Sequence, residues 1–327
     1  MARPVQPDVA DPSPDDDRPP TEPTELAAPA GVAAAEIGIA SGAAGGAAIL
    51  MPDAPRKKRR IFYFLALGWL AVVVFTAVFA DVLPLADPNF QVIRDRLAAP
   101  GEKGYILGTD NIGRDLLSRL AFGGRVSLII AFTAVIIGSL VGGAIGLTAG
   151  FFRGWYERIV MSFVDVLLAF PALVLLLALV AFVGQSLRTI SLVIGFLAIP
   201  AYARVARATT LAVSQREYVL AARALGAKSS RILFRELLPN VALPVVAFGL
   251  VALGLVIVAE GGLAFLGLSV EFPTSTWGSL IAAGKNWVRE SPHLALIPSV
   301  VMLLTVLSLN YVGDTLRSRF DVRESAL

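Results

Sequence analysis

Apolar residues run along this chain in blocks long enough to cross a bilayer, with charged residues gathered between them. A spanning helix needs roughly 20 apolar residues. Residues 61–80 meet that without interruption, and the pattern predicts five more spans near 126–151, 159–183, 187–211, 241–268 and 293–312. The expected fold class is therefore an all-α membrane protein with six transmembrane helices. Six spans place both termini on one side.

Polar segments complete the organisation. Residues 1–55 are rich in Pro and Asp, then in Ala and Gly, and read as a disordered tail. Residues 56–124 hold the first span and a long loop, 125–320 a five-helix core, and 321–327 a short C-terminal end. Five basic residues at 56–60 precede the first span and resemble a signal-peptide n-region. The apolar block is too long for that, and no small-residue cleavage site follows, so it reads as a retained span.

Within the first long loop, Gly108, Thr109 and Asp110 suggest a turn and a helix N-cap. Ile112, Leu116 and Leu120 recur at four-residue spacing while Arg114, Asp115 and Arg119 face elsewhere, which predicts a short amphipathic helix on the membrane surface. It could pack the mouth of a pathway or serve only as a connector. Gly138, Gly142, Gly146 and Gly150 form a stripe on the second span that permits close helix contact without naming the neighbour.

The segment 214–240 is the most informative loop. Glu217, Tyr218 and the Ala- and Leu-rich run to Leu225 favour a helix that Gly226 would stop. A second short helix is expected from Lys228 to Leu237, ended by Pro239. Ala221 and Ala222 would offer a small flat surface, with Arg223, Lys228, Arg231 and Arg235 around it. Such a bracket between two spans can transmit force; a floppy loop cannot.

Composition narrows the chemistry. The chain is 56% hydrophobic, its mean hydropathy is +0.73, and it has no cysteine and a single histidine, His293. That leaves no material for disulfides or thiolate metal sites, and almost none for imidazole clusters or His-based triads. No cofactor is expected. The net charge of +3 points to lipid and protein partners rather than nucleic acid in so apolar a chain. Lys and Arg number seventeen in the loops on the side of the termini and nine in the alternate loops. The positive-inside rule then puts both termini and the 204–240 loop in the cytoplasm of a prokaryotic cell.

The central segment resembles the EAA loop of ABC-importer permeases at Ala221, Ala222, Gly226, Leu238 and Pro239, with spacing kept. It departs where Leu220 replaces the usual Glu and Glu236 the usual Ile. A narrower resemblance, to the C-type permease subunits of dipeptide, oligopeptide and nickel importers, lies in five stretches. They are Leu107–Arg119 with Gly124–Leu128, Asp165 with Ala169-Phe170-Pro171, Tyr218 to Gly226, Phe234-Arg235 with Leu238-Pro239-Asn240, and Phe265-Leu266-Gly267-Leu268. This resemblance implies the type I ABC-importer permease fold. It also implies four kinds of neighbour: a homologous B-type permease, two ATPase domains gripping the EAA loops, an extracytoplasmic binding protein, and membrane lipid.

Asp165, Pro171 and Glu260 are the candidate pathway or gating residues. A carboxylate at bilayer depth is costly and must face protein, water or a basic partner. Each could touch a peptide ammonium or make a helix-to-helix hydrogen bond. Gly261 and Gly262 could unwind the helix beside Glu260, and Pro171 should kink the third span. Gly262 to Ser269 mimics a phosphate loop, but Leu268 stands where Lys is needed, so ATP hydrolysis is expected on partner chains. The leading reading is a peptide importer permease. Nickel or another small solute is the alternative, as is a proton-coupled transporter using Asp165 or Glu260.

Overall fold

Where no water can satisfy backbone groups, a chain must close its hydrogen bonds within helices, and helices carry the apolar segments here. The structure, a computed structural model, describes residues 56–324. The tail expected at 1–55 lies outside the described residues, as does part of the C-terminal segment 321–327. In chain order the helices are α1 Arg56–Val78, α2 Leu116–Phe152, α3 Gly154–Ala169, α4 Ala172–Val183, α5 Leu187–Val213, α6 Glu217–Ala224, α7 Ser229–Phe265, α8 Trp277–Gly284 and α9 His293–Glu324. Among the described residues five helices are long and apolar enough to cross a membrane, six if the bent α3–α4 pair counts as one span. One end of the bundle, the basic end, carries Arg153, Arg158 and the α5–α7 connection. The opposite cap end carries residues 88–115 and 266–291.

The glycine stripe decides the central packing. On α2, Gly138, Gly142, Gly146 and Gly150 all face α5 of the same chain, against Ala198, Ile199, Tyr202, Ala203, Ala206, Arg207 and Thr210. A Cβ on Gly142 would collide with the Ile199 carbonyl, and one on Gly146 with the Ala203 carbonyl. α2 also widens into a π-helical segment at Gly138–Gly142, on the glycine-bearing face. Around this contact two apolar clusters form. One holds Ile130, Ala134, Ile190, Ile257, Leu263 and Trp277; the other, at the basic end, holds Leu147, Tyr202, Val219, Ile232, Leu237 and Val245. α1 sits on the outside, fixed by Trp69 Nε1 donating to Thr305 Oγ1 at 3.1 Å and Arg125 Nε donating to the Ala77 carbonyl at 2.6 Å.

Three expectations need correction. The surface helix expected in the first loop does not form. Asp115, not Asp110, caps α2 by accepting from Ser118 N at 2.8 Å, and Ile112 precedes the helix. Leu116 and Leu120 belong to the second span itself, which starts ten residues earlier than expected, at Leu116 rather than 126. The four-residue apolar spacing was the periphery of a long span, not a separate element. Pro171 does more than kink the third span. Phe170 adopts extended backbone (ψ 136°), as residues before proline prefer, and α3 and α4 meet at 85°. Pro239, conversely, ends nothing: Ser229–Phe265 is one continuous helical segment. A π-helical stretch at Ile232–Leu237 precedes Pro239, which sits in the first turn of the regular α-helix, where its missing N–H costs little.

The α2–α5 contact makes a sharp prediction. Gly146→Leu should destabilise the purified protein by about 1–3 kcal/mol through overpacking. Gly143→Ala should be neutral, because its Cβ meets only Val245 Cγ1 at 3.9 Å. Thermal unfolding in detergent compares the two.

Candidate functional site

The α5–α7 connection folds as a bracket. Gly226 has φ +76°, the left-handed conformation a helix stop requires. Gly226 N–H donates to the Arg223 carbonyl and Ala227 N–H to the Ala222 carbonyl, each at 3.0 Å, which is a Schellman cap. Val219 is 0% exposed and locks the short helix α6 onto the basic-end cluster. The Arg223 guanidinium lies over the Phe151 ring at 5.9 Å, and Arg153 donates to Ser214 Oγ at 2.7 Å, tying the bracket to the end of α2. Local helix propensity thus supplies α6, and one buried valine with two cations fixes its attitude.

The two alanines part company. Ala221 is exposed, whereas Ala222 turns half-inward against the cluster, since consecutive residues lie about 100° apart on a helix. The outward surface is therefore made by Ala221 with Tyr218, Leu220 and Leu225, the last 87% exposed. Glu217 lies exposed in the first turn of α6. Leu238 and Pro239 are exposed in the first part of α7.

The remaining acids fall at two separate places. Glu260 is 1% exposed near the cap end of α7, where Oε1 accepts from Ser269 Oγ at 2.5 Å and from Thr276 Oγ1 at 2.7 Å. It pins the chain that leaves α7 back onto the helix. Gly261 and Gly262 remain helical, so the unwinding expected there is absent; Gly261 instead lets Gly278 of α8 approach closely. Ser269, the hydroxyl of the apparent phosphate loop, is committed to this carboxylate. Asp165 on α3 lies far along the sequence from these groups and pairs with Arg204 of α5 at 2.6 Å. Pro171 is exposed at the α3–α4 break.

Three basic residues were misjudged from sequence. Arg204 and Arg207 were counted as loop charges, but both lie inside α5, where Arg207 pairs with Glu157 of α3 at 2.6 Å. Their three-residue spacing, matched by acids on the preceding span, was the available signal. Arg119, expected on a solvated face, is 5% exposed. Asp110 holds it at 3.6 Å and Arg114 at 2.6 Å, while the Arg114 guanidinium lies over the Phe272 ring. His293 opens α9 and lies against Gly108 at the cap end.

Comparison with known proteins follows the same lines. The family described as "Binding-protein-dependent transport system inner membrane component" matches residues 142–325. A glutathione transport system permease protein of Pectobacterium atrosepticum is 35% identical over 253 residues, covering 77% of this chain and 84% of that protein. A di/tripeptide transport system permease protein of Pseudomonas aeruginosa is 36% identical over 259 residues, covering 77% and 85%. Among solved structures, an inward-facing MetNI methionine ABC transporter chain superposes with a TM-score of 0.52 at 18% identity. It covers 62% of this chain and 97% of that one, a likeness of fold.

The buried acids yield two predictions. Asp110→Ala leaves two buried guanidiniums without their carboxylate and should cost about 3–5 kcal/mol, read as a lowered thermal unfolding midpoint. Glu260→Ala strands two hydroxyls and should cost about 1–3 kcal/mol, with Glu260→Gln milder because its carbonyl still accepts. The same unfolding measurement ranks them, and an alanine variant as stable as the parent would contradict the anchoring role.

Proposed function

The chain belongs to the binding-protein-dependent transport system inner membrane components. From that membership we propose that it is the C-type permease subunit of an ATP-driven importer of di- or oligopeptides. Its spans line a translocation path together with a homologous B-type permease. Two ATPase domains hydrolyse ATP on partner chains, and an extracytoplasmic binding protein delivers the substrate. The basic end, with α6, faces the cytoplasm, in keeping with the excess of Lys and Arg there.

One observation carries the coupling role: α6 is stiff on its inner side and apolar on its outer side. Val219 and the Schellman cap fix the helix, while Tyr218, Leu220, Ala221 and Leu225 stay exposed among charged neighbours. An exposed apolar cluster rimmed by Arg216, Arg223 and Lys228 suits a protein partner. Glu217, Gly226, Leu238 and Pro239 frame this surface in the reading proposed here. Force applied to it reaches the bundle through Val219, Ile232 and Leu237 rather than dissipating in a loop.

Peptide transport is favoured over nickel by the relatives, which are named for glutathione and for di- and tripeptides. Proton coupling is disfavoured because Asp165 is already paired with the Arg204 guanidinium and Glu260 accepts from two hydroxyls.

Leu225→Asp tests the coupling surface without touching the core. It should weaken retention of the ATPase subunits on affinity purification by about thirtyfold, the effect of losing an anchor worth ~2 kcal/mol. Peptide uptake should fall in parallel while the thermal unfolding midpoint of the isolated subunit stays put. Wild-type ATPase retention and uptake in this variant would remove α6 from the coupling path.

A further inference from the structure

α3 and α5 are bridged by two ion pairs, stacked like rungs. Glu157 meets Arg207 toward the basic end, and Asp165 meets Arg204 one step deeper. Arg204 lies about 14 Å along α5 from its end at Val213, at 1.5 Å per residue. The outer rung is half-covered, but at the inner rung Asp165 and Arg204 are 58% and 51% exposed. Charges so placed are costly against hydrocarbon, so the face that bears them meets water or protein.

α3 itself separates the two environments. At 100° per residue Glu157, Arg158, Met161, Ser162 and Asp165 share one arc, and Ile159, Phe163 and Val166 share the opposite one. Phe163 is 70% and Val166 57% exposed, a surface suited to lipid. The polar arc borders an open groove of about 430 Å³ whose wall includes Glu157, Arg158, Ser162, Asp165 and Arg207. One helix therefore has an oily side and a charged side, and the charged side borders a hollow.

We propose that this ladder is a water-lined contact site for the charged ends of a peptide in transit. A peptide with free termini carries one ammonium and one carboxylate. Asp165 and Glu157 can take the ammonium while Arg204 or Arg207 takes the carboxylate with its planar fork. Opening the Asp165–Arg204 pair frees one carboxylate for the ammonium and one guanidinium for the carboxylate, so neither protein charge is left without a partner. Half-exposed ion pairs are weak, so the exchange costs little in either direction. A site on a conducting path must bind firmly enough to admit its ligand and loosely enough to release it. The inference rests on the peptide reading above and adds to it the residues that touch the substrate within this chain.

The chain contains no cysteine, so single thiols report cleanly. Ser162→Cys, nearly isosteric and on the groove wall, is compared with Phe163→Cys on the opposite face and with Asp165→Cys. Each is assembled with thiol-free partner subunits in lipid nanodiscs and treated with a charged methanethiosulfonate. The groove cysteines should react and the Phe163 position should not. The dipeptide Gly-Phe should slow the Ser162→Cys reaction several-fold, whereas its N-acetylated, C-amidated form should not; Asp165→Cys, which lacks the ammonium contact, should lose that protection. Equal reactivity on both faces, or no protection by Gly-Phe while ATP hydrolysis is still stimulated by the binding protein, would overturn the ladder and leave the permease reading standing. Absence of that stimulation in the unsubstituted complex would overturn both.

Discussion

Close approach of two backbones, α2 and α5, is the constraint on which the rest of this bundle depends. Within a bilayer there is little hydrophobic gain in bringing helices together, because lipid tails are as apolar as leucine. Association must come from dispersion contacts, and those need surfaces that touch. Four glycines spaced one turn apart remove every Cβ along the contact line, so the α5 carbonyls at Ile199 and Ala203 come within reach of α2. The π-helical widening at Gly138–Gly142 lies in the same stretch. The two apolar clusters lie on either side of this seam, one toward each end of the molecule.

Polar groups then fasten what packing alone leaves loose. At the cap end Glu260 gathers Ser269 and Thr276, and Asp110 gathers Arg114 and Arg119. At the basic end Arg153 and Arg223 hold the bracket to α2. The cap-end contacts fold nearby turns back onto the helices they leave, whereas those at the basic end join segments more than sixty residues apart. Between α3 and α5 the pins are ion pairs, and at the inner one both partners are about half exposed.

Much of this was legible in the residues. Uninterrupted apolar length gave the spans, because only a helix satisfies its backbone in lipid. Gly226 gave the end of α6, since the left-handed position it occupies is easy only for glycine. What escaped was of two kinds. Proline has a local meaning that depends on its neighbours: Pro171 follows a residue driven extended and breaks the helix, while Pro239 sits just past a π-helical segment and passes unnoticed. Charge likewise misleads when the boundary of a span is misplaced. Arg119, Arg204 and Arg207 each sit on a helix, and each reads as a loop or surface charge until its acid partner outside that helix, Asp110, Asp165 or Glu157, is seen. The short helix α6 formed where its Ala- and Leu-rich residues place it, but Ala222 turns half-inward beside an exposed Ala221, because an eight-residue helix offers too few turns to fix its phase from sequence.

The length of α7 has a mechanical consequence. Its continuous segment of 37 residues extends about 55 Å, well beyond the roughly 30 Å of hydrocarbon. Ile232 and Leu237, which share a cluster with Val219, sit near its foot, and Glu260 sits near its far tip. The helix is thus a lever arm: a tilt of only about 5° at the foot sweeps the tip sideways by about 5 Å over that length. Glu260 would carry Ser269, Thr276 and the start of α8 along that arc, because both hydroxyls donate to its carboxylate.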